Sequence, residues 1–221
     1  MRNLDLSQAD FGGAMLQDSI SNTDYQNLPV ELRDKIAAHK DWIVSNGGSG
    51  ARLDLSGQIL QGIDLSAMDL RGALLAGCDL TGANLADCQL RLAMLEGARL
   101  DGCKLTGSDL SGANLRQASL RGAVLAGALC RAVEIVDASG RRDGRDWPAD
   151  FRGADLTKAD LRIADLRGAR IAGAKFSEAN LTSADFRDTE RASANFDKAV
   201  LSGAQFGPMP EVRPGGASLR R

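Results

Sequence analysis

The stretch Thr81-Gly82-Ala83-Asn84-Leu85-Ala86-Asp87-Cys88-Gln89-Leu90 holds two copies of one unit: a small residue, a polar residue, a leucine and two more. Read outward, the rule holds from Leu55 to Leu125, where fifteen of fifteen positions spaced by five are leucine. From Ala73 to Ala123 the position two before each leucine is alanine, cysteine or serine. Glycine stands two after the leucine in eleven of the fifteen units. A second block runs in a register displaced by one residue: Phe151, Leu156, Leu161, Leu166, Ile171, Phe176, Leu181, Phe186, Arg191, Phe196, Leu201 and Phe206. Its small position is alanine in eleven of twelve units.

A period of five fits neither regular element. Five residues advance an α-helix by about 500°, so the leucines would spiral rather than form a stripe. In a continuous strand an odd period sends successive leucines to opposite faces. A short extended piece followed by a turn satisfies the pattern. The small residue and the leucine then face inward, the residue between them faces outward, and the last two turn the chain. Repetition coils the chain around leucine, with neighbouring coils about 4.8 Å apart. The expected fold class is an all-β solenoid.

Ala83-Asn84-Leu85, Ala113-Asn114-Leu115, Ala154-Asp155-Leu156 and Ala164-Asp165-Leu166 follow A-(D/N)-L. Over about 51–135 and 149–206 the chain resembles the pentapeptide-repeat family. The resemblance implies a right-handed quadrilateral β-helix with four pentads per coil. Coiling and the inward pair follow from the residues; the four sides and the hand come from the resemblance.

Residues 1–50 hold three early pentads, with inward Leu6, Phe11 and Leu16, and then a helix over about 28–45. Asn27 is its expected cap, Pro29 sits in its first turn, and Asn46-Gly47-Gly48 ends it. Leu28, Leu32, Ile36 and Ile43 share one face with Trp42 beside it. A solenoid end exposes apolar coil edges, so this segment reads as a capping helix. The lead-in Trp42-Ile43 through Leu53-Asp54-Leu55 is similar to that of many bacterial pentapeptide-repeat proteins. The first block spans 51–136, a loop projecting from the wall spans 137–148, and the second block spans 149–206. Residues 207–221, rich in proline and glycine, are expected to be a disordered tail.

Composition narrows the function. The chain has 221 residues, a formal charge of −2 and 4% aromatics, which argues against a general nucleic-acid binder. No run of 18 apolar residues spans a membrane, and the opening residues lack a signal-peptide core. The expected location is cytoplasmic. His39 is the single histidine and is read as a half-buried helix residue. Cys78, Cys88 and Cys103 take the inward small position and Cys130 a leucine position, so all four read as structural thiols. No zinc spacing or phosphate loop is present. The sequence offers no catalytic residue, metal ligand or cofactor, so the protein is not expected to be an enzyme.

Eleven carboxylates take outward positions: Asp54, Asp64, Asp69, Asp79, Asp109, Asp150, Asp155, Asp160, Asp165, Asp185 and Glu190. Gyrase-protecting relatives are understood as DNA mimics, so the resemblance implies a possible DNA-mimicking regulator of a type II topoisomerase (gyrase). Residues 151–221, however, hold twelve Lys and Arg against nine Asp and Glu. A non-catalytic protein-interaction scaffold is the preferred reading. Two surfaces are candidates for a partner. One is the 137–148 loop with Arg141, Arg142, Arg145 and Trp147. The other is a wall patch of Arg71, Leu74, Arg91, Leu92 and Met94, expected to be exposed. Arg191, charged at an inward position, is expected to turn outward in a local bulge and to offer a further contact. The uncovered coil at Leu201 and Phe206 suggests a homodimer.

Overall fold

The computed structural model describes residues 27–136 and 142–207. The pentads of Leu6, Phe11 and Leu16, the segment with Arg141, and the tail from Pro208 lie outside the described residues.

Each pentad is a short extended piece closed by a turn. In the turn, the N–H of the small residue donates to the carbonyl of the leucine three positions back, as Ala83 does to Leu80 at 2.9 Å. The residue before it takes a positive φ, 69° at Gly82. A type II turn needs this left-handed position, which glycine adopts without steric cost. This is why glycine recurs every five residues.

Successive coils are joined by parallel single-residue bridges between outward residues twenty apart, such as Asp54 to Leu74 and Leu74 to Met94. Four pentads therefore make one coil. The inward leucine donates its N–H to the outward carbonyl of the next coil, as Leu85 does to Lys104 at 2.7 Å. The outward N–H donates backward, as Asn84 does to Ile63 at 2.8 Å. Each inner coil thus satisfies its backbone through its neighbours.

Four bridges break the interval. Asn114 pairs with Asp150, Ser119 with Asp155, Val124 with Asp160 and Leu129 with Asp165, each thirty-six apart rather than twenty. The insert adds sixteen residues, three pentads and one more, which explains the one-residue displacement between the blocks. The described part of the insert is paired strand where a loop is expected from sequence. Strand β1 (Val133–Val136) and strand β2 (Arg142–Trp147) form an antiparallel hairpin.

One core cluster runs from Leu53 to Phe186, with inward leucines, alanines and cysteines essentially inaccessible. Toward the C-terminal edge the rings form two columns. Phe176 stacks on Phe196 and Phe186 on Phe206, each pair 5.1 Å apart, and the columns meet edge to face. Helix α1 (Val30–Val44) brings Leu32 and Ile36 into the same cluster. Its N-cap is Pro29, not Asn27. The Pro29 carbonyl accepts from Leu32 and Arg33, and no side chain caps the helix.

Arg191 forms no bulge. The turn and bridge pattern passes through Thr189-Glu190-Arg191 in register, with Arg170 bridged to Glu190. The expectation assumed full burial at this position, but Arg191 lies in the last described coil. Its guanidinium sits 5.6 Å from the Phe206 ring centre and donates to the Gly207 carbonyl at 2.9 Å.

Candidate functional site

The surface is built from what each wall position needs. An outward aspartate precedes the inward residue, and its carboxylate accepts the backbone N–H two residues on. Ser56 donates to Asp54 at 2.9 Å and Thr157 to Asp155 at 3.0 Å. This is an Asx turn, and it holds the corner. Where residue i+2 is serine or threonine, the hydroxyl often adds a second bond, as Thr81 does to Asp79 at 2.6 Å. The Thr81 hydroxyl and amide together with Gln61 hold the Asp79 carboxyl down at about 2.

Where residue i+2 is arginine, the guanidinium folds back as a fork. Arg162 lies 2.7 Å from Asp160, Arg167 2.7 Å from Asp165 and Arg187 2.6 Å from Asp185. Arg152 forks Asp150, and Arg71 forks Asp69 at 2.6 Å. The Arg162 and Arg187 forks hold the Asp160 and Asp185 carboxyls below the usual range. Along one corner Arg91, Arg131 and Arg167 also reach acids on neighbouring coils: Asp109, Asp165 and Asp185. The carboxylate row is therefore threaded with its own cations. The sequence shows the acids as outward residues, and their corner-holding role becomes visible in these bonds. The signal was there in Asp-Leu-Ser, Asp-Leu-Arg and Asp-Phe-Arg triplets.

The wall patch differs from the exposed surface expected. Leu92 is buried with Ile43, and Trp42, Val133 and Trp147 pack against the pair. Leu92 sits at the left-handed turn position, φ 59°, where glycine is usual. Its side chain is the foot on which helix α1 and the hairpin both rest. Directly below, a Cβ on Gly112 would lie 2.8 Å from Leu92 and 2.9 Å from Val133. Arg71 is also buried, against Asp69. Leu74 and Met94 remain half-buried and bridged to each other, and Arg91 is partly exposed. Of the insert residues, Arg142 and Arg145 lie on β2, and Trp147 is half-buried on the foot.

The reactive side chains serve the scaffold. The Cys78, Cys88 and Cys103 thiols donate to the Leu55, Leu65 and Leu80 carbonyls at 2.7 to 2.8 Å. Burial pushes Cys88 and Cys103 up to about 12 and Cys130 up as well. His39 is fully buried rather than half-buried, because its Nδ1 accepts the Leu53 N–H at 3.0 Å. That bond leaves the proton on Nε2, which has no hydrogen-bond partner among the described residues. Burial lowers its pKa to about 4. Among the described residues no group of three His, Cys, Asp or Glu is placed to hold a metal ion, and no helix is long and apolar enough to cross a membrane.

Comparison with known proteins adds the family. No curated protein matches the sequence. Solved structures are only loosely similar. The full-length fluoroquinolone resistance protein QnrB1 is 19% identical over 71% of this chain and 92% of its own, with a TM-score of 0.38. HetL, a pentapeptide repeat protein involved in heterocyst differentiation regulation from Nostoc sp. strain PCC 7120, is 24% identical over 77% of this chain and 92% of its own, at 0.25. A pentapeptide repeat protein from the Arabidopsis thaliana thylakoid lumen is 27% identical over 57% of this chain and 67% of its own, at 0.16. Superpositions this loose carry no weight, so the assignment rests on the repeats. The family described as Pentapeptide repeats matches in eight copies, over residues 51–85, 69–107, 108–129, 149–188 and 174–207. This chain belongs to the pentapeptide-repeat family.

Proposed function

We propose that this protein is a non-catalytic, cytoplasmic protein-interaction scaffold: a right-handed quadrilateral β-helix capped by helix α1. One observation carries the reading. The coil continues without a break across the insert, so the hairpin is not needed to build it, yet it stands on a dedicated apolar foot of Leu92, Ile43, Trp42, Val133 and Trp147. An element anchored at its base and unnecessary to the core is suited to present a recognition surface. The partner-facing residues are then Arg141, Arg142 and Arg145 of the insert, Leu74, Met94 and Arg91 of the wall, and Arg191 at the open end. Copies associate through the coil end at Leu201 and Phe206, both about 40% exposed.

Deleting 138–146 should weaken a partner captured by in-cell crosslinking at least tenfold, with the melting temperature held. Unchanged affinity, with binding lost on Leu74→Asp/Met94→Asp, would move the site to the wall. The second reading, a DNA-mimicking regulator of a type II topoisomerase (gyrase), needs one continuous negative face. The forks at Asp69, Asp150, Asp160, Asp165 and Asp185 weigh against it. Altered gyrase supercoiling by the purified protein would restore it.

A further inference from the structure

The two ends of the coil stack are finished differently. At the N-terminal end Leu53, Leu55, Leu65 and Leu70 are at most 1% exposed and share a cluster with Leu28, Leu32 and Ile36 of the helical segment. Only the corner at Leu60 and Ile63 is partly open there. At the C-terminal end three successive inward residues, Phe196, Leu201 and Phe206, are uncovered to some degree. Their N–H groups, which in inner coils donate to the next coil, meet no further coil among the described residues. Beside them Arg191 holds a buried Nη1 that has no hydrogen-bond partner among the described residues.

The sequence contains a segment that fits this edge. Residues 4–16 carry three pentads, Leu4-Asp5-Leu6, Ala9-Asp10-Phe11 and Ala14-Met15-Leu16, separated along the chain from the later pentads by the helix. Three pentads need three adjacent uncovered corners. The N-terminal end offers one and the C-terminal end offers three. The chain has six phenylalanines, and all take inward pentad positions: Phe11, and Phe151, Phe176, Phe186, Phe196 and Phe206 of the second block. The first block has leucine from Leu55 to Leu125 and no phenylalanine, so Phe11 matches the ring columns at the C-terminal edge. An incoming coil would bring carbonyls to the waiting N–H groups. It would also bring Asp5 and Asp10 toward the unpartnered Arg191 nitrogen. The residues that follow the last coil, Pro208-Met209-Pro210, carry no pentad, and two of the three lack an N–H.

Resting on the reading that copies associate through this end, we infer that its occupant is the pentad segment 4–16 of a second copy, added as a further coil. Reach favours a second copy over the same chain. One bridge column, Asp54, Leu74, Met94, Asn114, Asp150, Arg170 and Glu190, counts seven coils, a stack of roughly 30–40 Å. The twelve residues from Leu16 to Leu28 extend to at most about 40 Å, leaving no slack to pass along the wall. The contact is head to tail, so it continues into chains or closes into a ring.

The test uses the full chain, the full-chain variant Phe11→Asp/Leu16→Asp, and a fluorescein-labelled peptide of residues 1–20. Sedimentation velocity should show concentration-dependent association of the full chain beyond a dimer, and only monomer for the variant. The peptide should bind the variant protein, with at least tenfold weaker binding when the peptide itself carries Phe11→Asp. That last change cannot disturb the folding of the stack. If the variant associates as the full chain does, the ends pair with each other; association through the end then stands and the pentad occupant falls. A full chain that stays monomeric while the variant binds the peptide would place the segment on its own chain and overturn the second-copy assignment. Monomer at every concentration with no peptide binding would overturn both.

Discussion

The two repeat blocks build one stack from different materials. In the first, residues 51–132, the inward residue is leucine except at Cys130, the small position takes three cysteines that donate to coil carbonyls, and the left-handed turn residue is mostly glycine. In the second, residues 149–207, phenylalanine enters the core and arginine forks hold the aspartates. There the left-handed position is taken by Lys158, Ile163, Glu178, Ser183, Asp188, Ser193 and Lys198 as well as by glycine. Each such residue costs about 1 kcal/mol or more relative to glycine. The backbone is the same regardless. The turn is therefore imposed by the coil-to-coil hydrogen bonds and the inward side chains; glycine makes it cheaper without specifying it. The side chains of the turn and wall are free to differ between the blocks.

The sharpest way to break this comparison is to attack the inward position at two depths. Leu95 is 1% exposed in the first block and Leu201 is 41% exposed at the open end. Leu95→Asp should unfold the chain, since losing a buried leucine and burying a carboxyl without partners together remove a large share of the roughly 5–15 kcal/mol that holds a typical domain. Leu201→Asp should leave the β-rich circular dichroism spectrum in place. A soluble, fully folded Leu95→Asp protein would overturn the inward assignment.

The next effect separates the helical end from the rest. His39 titrates near 6.5 when unfolded and at about 4 in the fold. Between those values the unfolded chain binds a proton that the folded chain refuses. Stability is therefore full above pH 6.5, falls as pH drops toward 4, and levels below that. The loss is roughly 3 kcal/mol at 1.36 kcal/mol per pH unit. Thermal melts from pH 7 to 4 should show helix α1 loosening before the second block. His39→Gln should flatten this dependence, and an unchanged slope would mean that other groups carry it.

Much of this was legible in the sequence because a strict period constrains every residue at once. Coiling, the inward leucines, the structural thiols and the break near residue 137 all follow from the spacing of five. The unreadable features depend on contacts between coils. Nothing local says that Arg131 will reach Asp165 on the neighbouring coil or that Pro29 rather than Asn27 will cap the helix. Leu92 reads from the sequence as a surface leucine in a glycine slot. Its burial depends on helix α1 and the hairpin arriving at the same corner. By sequence Arg191 should bulge because its position is internal to the repeat, and only the stack reveals that its coil is the last one described.

Turn positions sharpen the comparison at smaller energies. Gly82 has open space around an added Cβ, so Gly82→Ala should cost only the left-handed strain, about 1 kcal/mol. Gly112→Ala adds overlap with Leu92 and Val133 on the apolar foot and should cost about 2–3 kcal/mol. Equal losses for the two would mean that the foot yields freely. In the second block Ile163 is β-branched, 67% exposed and at φ 53°. Ile163→Gly should raise stability by about 1 kcal/mol through relief of strain. No gain would mean that its packing toward Gly127 offsets the backbone.

The smallest effect is expected at Arg191, where opposing contributions nearly cancel. Its guanidinium gains a hydrogen bond to Gly207, worth about 1 kcal/mol, and a contact with the Phe206 ring worth about 0.5–1 kcal/mol. Against these stands the buried Nη1 with no partner among the described residues, at about 1–3 kcal/mol. Arg191→Leu removes all three and restores an apolar inward residue beside Phe196 and Phe206. The last coil should change by no more than about 1 kcal/mol in either direction. Because coils open separately, whole-chain melting would blur the effect, and hydrogen exchange of the amides in 194–206 reads it directly. A loss above about 2 kcal/mol confined to those amides would mean that the arginine bonds outweigh the unpartnered nitrogen. A gain of that size would mean that the position wants leucine and that arginine is held there for something other than stability.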